Sequence, residues 1–271
     1  MAQHIQYRDQ SDTNAAPSPS IWGDYDEAPV GKYAHYFDDY LAPIDPTTAC
    51  GHVITTVNSG LIETANPTTT LTGQGIFNVS SNGHNAQHDG VSSVQLGAAA
   101  VQEIWCPISS KPLYFEARIM LNDESDEFFI GLCDTETAIL NTSGMVDYDS
   151  RNMIGFYTDA GTTASYIEFL SAKAGSANVD TDLTGIASVS TETAFVDNTW
   201  IKVGFIVYTK NGALRIKPFI NGKAYTEIID TDDIPTTIGT GDMALSFAAQ
   251  VAATGANAEL YVDWVRIAQL R

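Results

Sequence analysis

Three groups of residues carry side chains able to do chemistry. The first is acidic. Glu124, Asp126 and Glu127 crowd the run from Asn122 to Phe128, and Asp134 and Glu136 follow shortly after. Two carboxylates flanking a glycosidic bond can serve as nucleophile and general acid. The second group is His84, His88 and Asp89 in SNGHNAQHDG. Two imidazoles four residues apart can share a zinc ion when a helix aligns them, but Asn and Gly surround this pair and predict a flexible polar loop. The third is Asp123, Asp126, Asp147 and Asp149, oxygen donors of the kind calcium takes. No calcium-loop pattern closing on a bidentate Glu accompanies them. No serine sits in a Gly-x-Ser-x-Gly elbow, and Gly73-Gln74-Gly75 opens a strand rather than a phosphate-binding turn. The acidic run therefore reads as a solvated loop before a strand, and no catalytic residue, metal or cofactor is expected.

The elements that must position these groups are strands. PLYFEARIML alternates, with Leu113, Phe115, Ala117, Ile119 and Leu121 on one face and Tyr114, Glu116, Arg118 and Met120 on the other. TWIKVGFIVYT, LRIKPFI and NGKAY follow one another across Asn211-Gly212 and Asn221-Gly222, the dipeptides of tight hairpin turns. In AELYVDWVRIAQL, strict alternation places Leu260, Val262, Trp264 and Arg266 on one face, and Tyr261, Asp263, Val265 and Ile267 on the other. Trp200 and Trp264 are expected as core anchors, with Trp22 the less buried tryptophan. No long amphipathic helix is evident; Ala98 to Ile104 is the best short candidate.

Composition agrees with one large β domain. The chain has 271 residues, 44% of them hydrophobic and 17% charged, which suffices for a full core; sandwiches of ~250 residues are ordinary single domains. Thirty-three acidic and 13 basic residues leave a net charge of −20. Such a surface repels nucleic-acid phosphates and anionic lipids, so neither nucleic acid nor membrane is expected as a partner. The charge serves solubility, or meets a partner with a basic face. Met1 to Gln10 has no hydrophobic stretch of the secretory kind, so synthesis and retention in a cytoplasm, or release by lysis, is expected. Cys50, Cys106 and Cys133 are odd in number and form no disulfide framework; Cys106 and Cys133 are expected as buried thiols.

Residues 1–45 differ in texture and read as an extended arm before a sandwich domain at 46–271. QSDTNAAPSPS is linker-like, and SIWGDYDEAPVGKYAHYFDDYLAP then sets Trp22, Tyr25, Tyr33, Tyr36, Phe37 and Tyr40 among acids and prolines. Aromatic side chains on an irregular segment need a surface, either the chain's own sandwich or a neighbouring subunit.

From Lys111 to Arg271, TWIKVGFIVY, LRIKPFINGKAY, IPTTIGTGDMALSFAAQ and AELYVDWVRIAQLR resemble the back half of the concanavalin A-like lectin/glucanase superfamily. The resemblance implies an all-β, antiparallel jelly-roll sandwich. Glycosidases of that superfamily carry Glu-x-Asp-x-Glu or Glu-x-Asp-x-x-Glu on one strand; the run at Glu124 lacks the trailing Glu. SIWGDYDEAPVGKYAHYFDDY resembles the opening of tailed-phage virion proteins, in which an arm precedes a jelly roll. That implies a capsid decoration, or cement, protein, made in the host cytoplasm and carried on the virion. Its partners would be the major capsid protein and further copies of itself as a homo-oligomer, most plausibly a trimer. The six arm aromatics would be the contact residues. The alternative is a carbohydrate- or receptor-binding module with a glycan ligand, and after it a glycoside hydrolase.

Overall fold

The computed structural model describes residues 33–38, 52–57, 60–64, 77–82, 91–96, 105–109, 111–122, 127–134, 139–140, 151–158, 167–173, 196–225, 227–228, 234–236, 243–250 and 257–270. Among these every regular element is a strand. In chain order they are β1 (Tyr33–Asp38), β2 (His52–Val57), β3 (Gly60–Thr64), β4 (Phe77–Asn82), β5 (Val91–Leu96), β6 (Leu113–Leu121) and β7 (Glu127–Cys133). There follow β8 (Met153–Tyr157), β9 (Glu168–Ala172), β10 (Ile201–Lys210), β11 (Ala213–Ile220), β12 (Lys223–Ala224), β13 (Ala244–Gln250) and β14 (Asn257–Leu270).

All pairings are antiparallel and form two sheets. The larger runs β12-β11-β10-β6-β14-β4-β3, with β1 also on β14; the smaller runs β2-β5-β13-β7-β8-β9. The architecture is a concanavalin A-like jelly-roll sandwich, as expected from the sequence. One core fills the space between the sheets. Leu113, Phe115, Ala117, Ile119 and Leu121 of β6 enter it from one side, and Phe128, Ile130 and Leu132 of β7 from the other. Phe205 stacks on Phe115 at 4.9 Å and meets Phe169 of the opposite sheet at 5.5 Å, so aromatic contact bridges the sandwich. The hairpin turns carry left-handed backbone at Asn211 (φ 55°) and Gly212 (φ 80°), and again at Asn221 (φ 48°) and Gly222 (φ 80°). Asn and Gly are there because other side chains resist that conformation.

β14 is the axis of the larger sheet. One edge pairs with β6; the other pairs first with β4 and then, from Val265 to Leu270, with β1. Tyr33–Asp38, part of the segment read as an arm, thus lies on the chain's own sheet, and Tyr36 packs against the central core. Trp22, Tyr25 and Tyr40 lie outside the described residues.

Strict alternation fails in β14. The register to β6 shifts between Val262 and Trp264, a β-bulge at Asp263. One extra residue reverses the inside-outside order, so Leu260 and Val262 before it and Val265 and Ile267 after it all enter the core. Trp264 and Arg266 are carried to the outside. Among the described residues the core tryptophan is Trp105, 1% exposed; Trp200 and Trp264 are half-buried on the outer face rather than core anchors.

Candidate functional site

A sandwich offers two outer faces for function. On the smaller sheet, β7 presents Glu127, Phe129, Gly131 and Cys133 outward, because Phe128, Ile130 and Leu132 are committed to the core. Glu127 is not part of a solvated loop: it is the first residue of β7, wholly buried, opposite the equally buried Gln250 of β13. A second carboxylate on this face would fall two or four residues on, where Phe129 and Gly131 stand. The other described carboxylate on the face is Glu168, two strands away on β9, accepting a 2.7 Å hydrogen bond from the Tyr157 hydroxyl. Strand spacing and register put its Cα about 12 Å from that of Glu127. Among the described residues of the face, Phe129, Cys133, Ile139, Leu140, Met153 and Leu170 form a second core, and the buried polar side chains of Ser246 and Gln250 lie on β13 beside β7.

At the far end of β7, Asp134 accepts 2.9 Å bonds from both the backbone N–H and the side-chain amide of Asn152, a carboxylate committed to holding the β7–β8 junction. Glu124, Asp126, Glu136, the histidine segment and Asp123, Asp147 and Asp149 lie outside the described residues. Among the described residues no group of three metal-ligating side chains converges. Cys106 and Cys133 are buried, and neither is in a disulfide.

The outer face of the larger sheet is built differently. Arg118 and Arg266 alternate with Trp200 and Trp264. The Arg118 guanidinium lies 4.9 Å from the centre of Trp200, and that of Arg266 5.5 Å from Trp264. Each arginine is also held by a carboxylate: Arg118 by Asp263 at 2.5 Å, and Arg266 by Glu116, with Nε–Oε2 at 2.8 Å. The bulge makes this ladder, since it sets Trp264 opposite Arg118 and Arg266 opposite Glu116. Each guanidinium lies over an indole face, an attraction worth about 0.5–1 kcal/mol at exposed sites.

Toward the β10–β11 hairpin the same face becomes cationic. Glu227 is shared by three cations: Arg215 Nη1 at 3.1 Å, and the ammonium groups of Lys210 and Lys217 at 3.9 Å each. The Tyr208 hydroxyl also donates to it. That hydrogen bond holds Glu227 below the usual carboxylate range, with the surrounding cations adding to the effect. Burial, then the Glu227 bond and charge, push Tyr208 up to about 12. A tyrosine stabilised in its protonated form contributes stability that is complete below its unfolded value near 10 and lost as pH rises through 12. Wild type should therefore lose more stability than Tyr208→Phe between pH 10 and 12, with equal slopes below pH 9. Denaturant melts across that range check this.

No family model matches the chain, and no curated protein matches it in sequence. Solved structures do match in fold. The Emp47p carbohydrate recognition domain is 14% identical with a TM-score of 0.52, covering 89% of this chain and 98% of that one. Peanut lectin is 12% identical at 0.50, covering 88% and 97%. An endo-1,3-beta-glucanase from Streptomyces sioyaensis is 13% identical at 0.50, covering 90% and 98%.

Proposed function

We propose that this chain is a non-catalytic structural protein of a virion, a capsid decoration protein that attaches by its outer surfaces and N-terminal segment. The observation that carries the non-catalytic part is the outward row of β7. That row carries one carboxylate, Glu127, with Phe129 and Gly131 at the next two outward positions, and Phe129, Cys133, Met153 and Leu170 pack together beside it. The capsid assignment is supported by the resemblance of SIWGDYDEAPVGKYAHYFDDY to virion arms. β1 assigns Tyr33–Asp38 of that segment to the chain's own sheet, and the capsid contact is proposed for the residues that precede it.

The test separates these two parts. Deleting residues 1–32 retains β1 and its pairing with β14. Particle occupancy, read by mass spectrometry of purified virions, should fall at least about tenfold, the loss of a few aromatic anchors. The melting temperature should move by no more than about 3 °C. Full decoration by the truncated chain would remove the arm from the contact, and absence of the intact chain from any particle would refute the capsid role.

A carbohydrate-binding module is the second reading. It is favoured by the lectin domains among the structural neighbours and by Trp200 and Trp264, half-buried on an outer face. Glycan-array binding abolished by Trp264→Ala would favour it over the capsid reading.

A further inference from the structure

Asn-Gly pairs stand at 82–83, 211–212 and 221–222. Gly83 lies outside the described residues. Asn-Gly is the dipeptide that tight hairpins select. It is also the one at which asparagine most readily loses its amide, because no side chain shields the following backbone nitrogen. The two hairpin pairs stand on matched backbones. Each closes a two-residue loop, one between Lys210 and Ala213, the other between Ile220 and Lys223. Their left-handed angles agree: φ 55° and 80° at Asn211-Gly212, 48° and 80° at Asn221-Gly222. Whatever this turn does to reactivity, it does to both.

The side chains differ. Lys202, the second residue of β10, holds Asn221 at two atoms. Its backbone N–H donates to Asn221 Oδ1 at 2.9 Å, and its carbonyl accepts the Asn221 N–H at 2.8 Å. Among the described residues Asn211 has no counterpart to either bond. Asn211 and Gly212 are exposed, and a Cβ at Gly212 would meet nothing within 4 Å. Loss of the amide runs through a five-membered imide ring. That ring is nearly flat, so closing it turns the asparagine χ1 about 60° away from any staggered rotamer. Asn211 can make that rotation into open solvent. Asn221 must first give up its bond to Lys202.

We propose that Asn211 is a modification site of the folded chain, deamidating faster than Asn221 because Lys202 restrains only the latter. The Gly212 nitrogen attacks Cγ of Asn211. An N–C bond forms, the Cγ–Nδ2 bond breaks, and ammonia leaves with the proton that the Gly212 nitrogen gives up. Water then opens the imide. Cleavage at Cγ leaves an ordinary aspartate at position 211. Cleavage at the main-chain carbonyl carbon leaves isoaspartate, whose backbone runs through the side chain. The two products differ in effect. Asp-Gly serves the same turn as Asn-Gly, and its carboxylate arises next to Lys210, whose ammonium stands 3.9 Å from Glu227. Isoaspartate adds a backbone atom to a two-residue loop, which disturbs the register of Lys210 with Ala213.

Peptide mapping by mass spectrometry tests this on the full chain, incubated in mildly alkaline buffer below its melting temperature. Cleavage after Lys and Arg separates the peptide holding Asn211 from that holding Asn221. Deamidation at Asn211 should run about tenfold faster, the rate equivalent of one retained hydrogen bond. The same incubation in urea removes both Lys202 bonds, and there the two rates should converge. Equal rates in the folded chain overturn the inference, as does a lead for Asn221 or an Asn211 that keeps its amide throughout. A lead for Asn211 that persists unchanged in urea overturns it too, since local sequence rather than the fold would then set the rate.

Discussion

Phe205→Ala will cost about 3–5 kcal/mol of unfolding free energy, the range for deleting a buried aromatic ring. Phe205 is fully buried, stacks on Phe115 within its own sheet and meets Phe169 across the sandwich. Phe169 in turn packs edge-on against Phe156 at 4.8 Å. Removal of the ring opens a cavity between the two sheets, where neither can collapse without shifting several strands. Since a domain's total stability is about 5–15 kcal/mol, the variant should sit near its unfolding threshold at room temperature. Phe205→Leu, which keeps most of the volume, should recover the greater part. Urea titration of the three proteins measures the difference, and a loss under about 1 kcal/mol would mean that the sheets are not joined through this ring.

The second large effect is expected at Gly131. An ordinary Cβ there would stand 2.2 Å from the Ile154 carbonyl oxygen and 2.5 Å from the Gly155 Cα. Both are backbone atoms of the paired strand, so no side-chain rotation relieves the overlap, and β7 must part from β8. Gly131→Val should cost about 3 kcal/mol or more, with loss of soluble expression as the visible sign. Gly212→Ala is the control. A Cβ at Gly212 meets nothing within 4 Å, and only its φ of +80° resists substitution, which costs about 1–2 kcal/mol. Equal losses at the two positions would contradict the close approach of β7 and β8.

Much of this architecture is readable from residue order. Leu113 to Leu121 alternates without interruption, and the structure places its apolar set in the core as the pattern requires. The two Asn-Gly pairs fix turns because their backbone conformation is a local property. The bulge at Asp263 is different: an acid within an alternating strand looks like any outward residue, and nothing local marks it as extra. A signal was present in Arg266. Strict alternation would put its guanidinium on the core face with Leu260 and Val262, a costly burial that an inserted residue avoids. Trp200 was legible by the same logic, since it shares parity with Lys202 rather than with Val203 and Phe205. Glu127 was not. It opens a strand buried at all seven positions, and whether an outer face is covered depends on distant segments.

The arginine–tryptophan ladder was hidden for another reason. Its members come from β6, β14 and the residue before β10, and only sheet order brings them together.

The place of β14 in the sheet has a consequence for biosynthesis. It alone joins β12-β11-β10-β6 on one side to β4-β3 and β1 on the other. All of those strands precede it in the chain. Until residues 257–270 have left the exit tunnel, β12-β11-β10-β6, the β3–β4 pair and β1 are three unjoined pieces, each with an unsatisfied hydrogen-bonding edge. At about 5–20 residues per second, the stretch from the end of β6 at Leu121 to the end of β14 takes roughly 7–30 s to translate. During that interval the edge of β6 that later receives β14 has no native occupant. A nascent chain of this kind is one on which chaperones that shield strand edges would act, and a stalled translation product ending before Asn257 should be a preferred client.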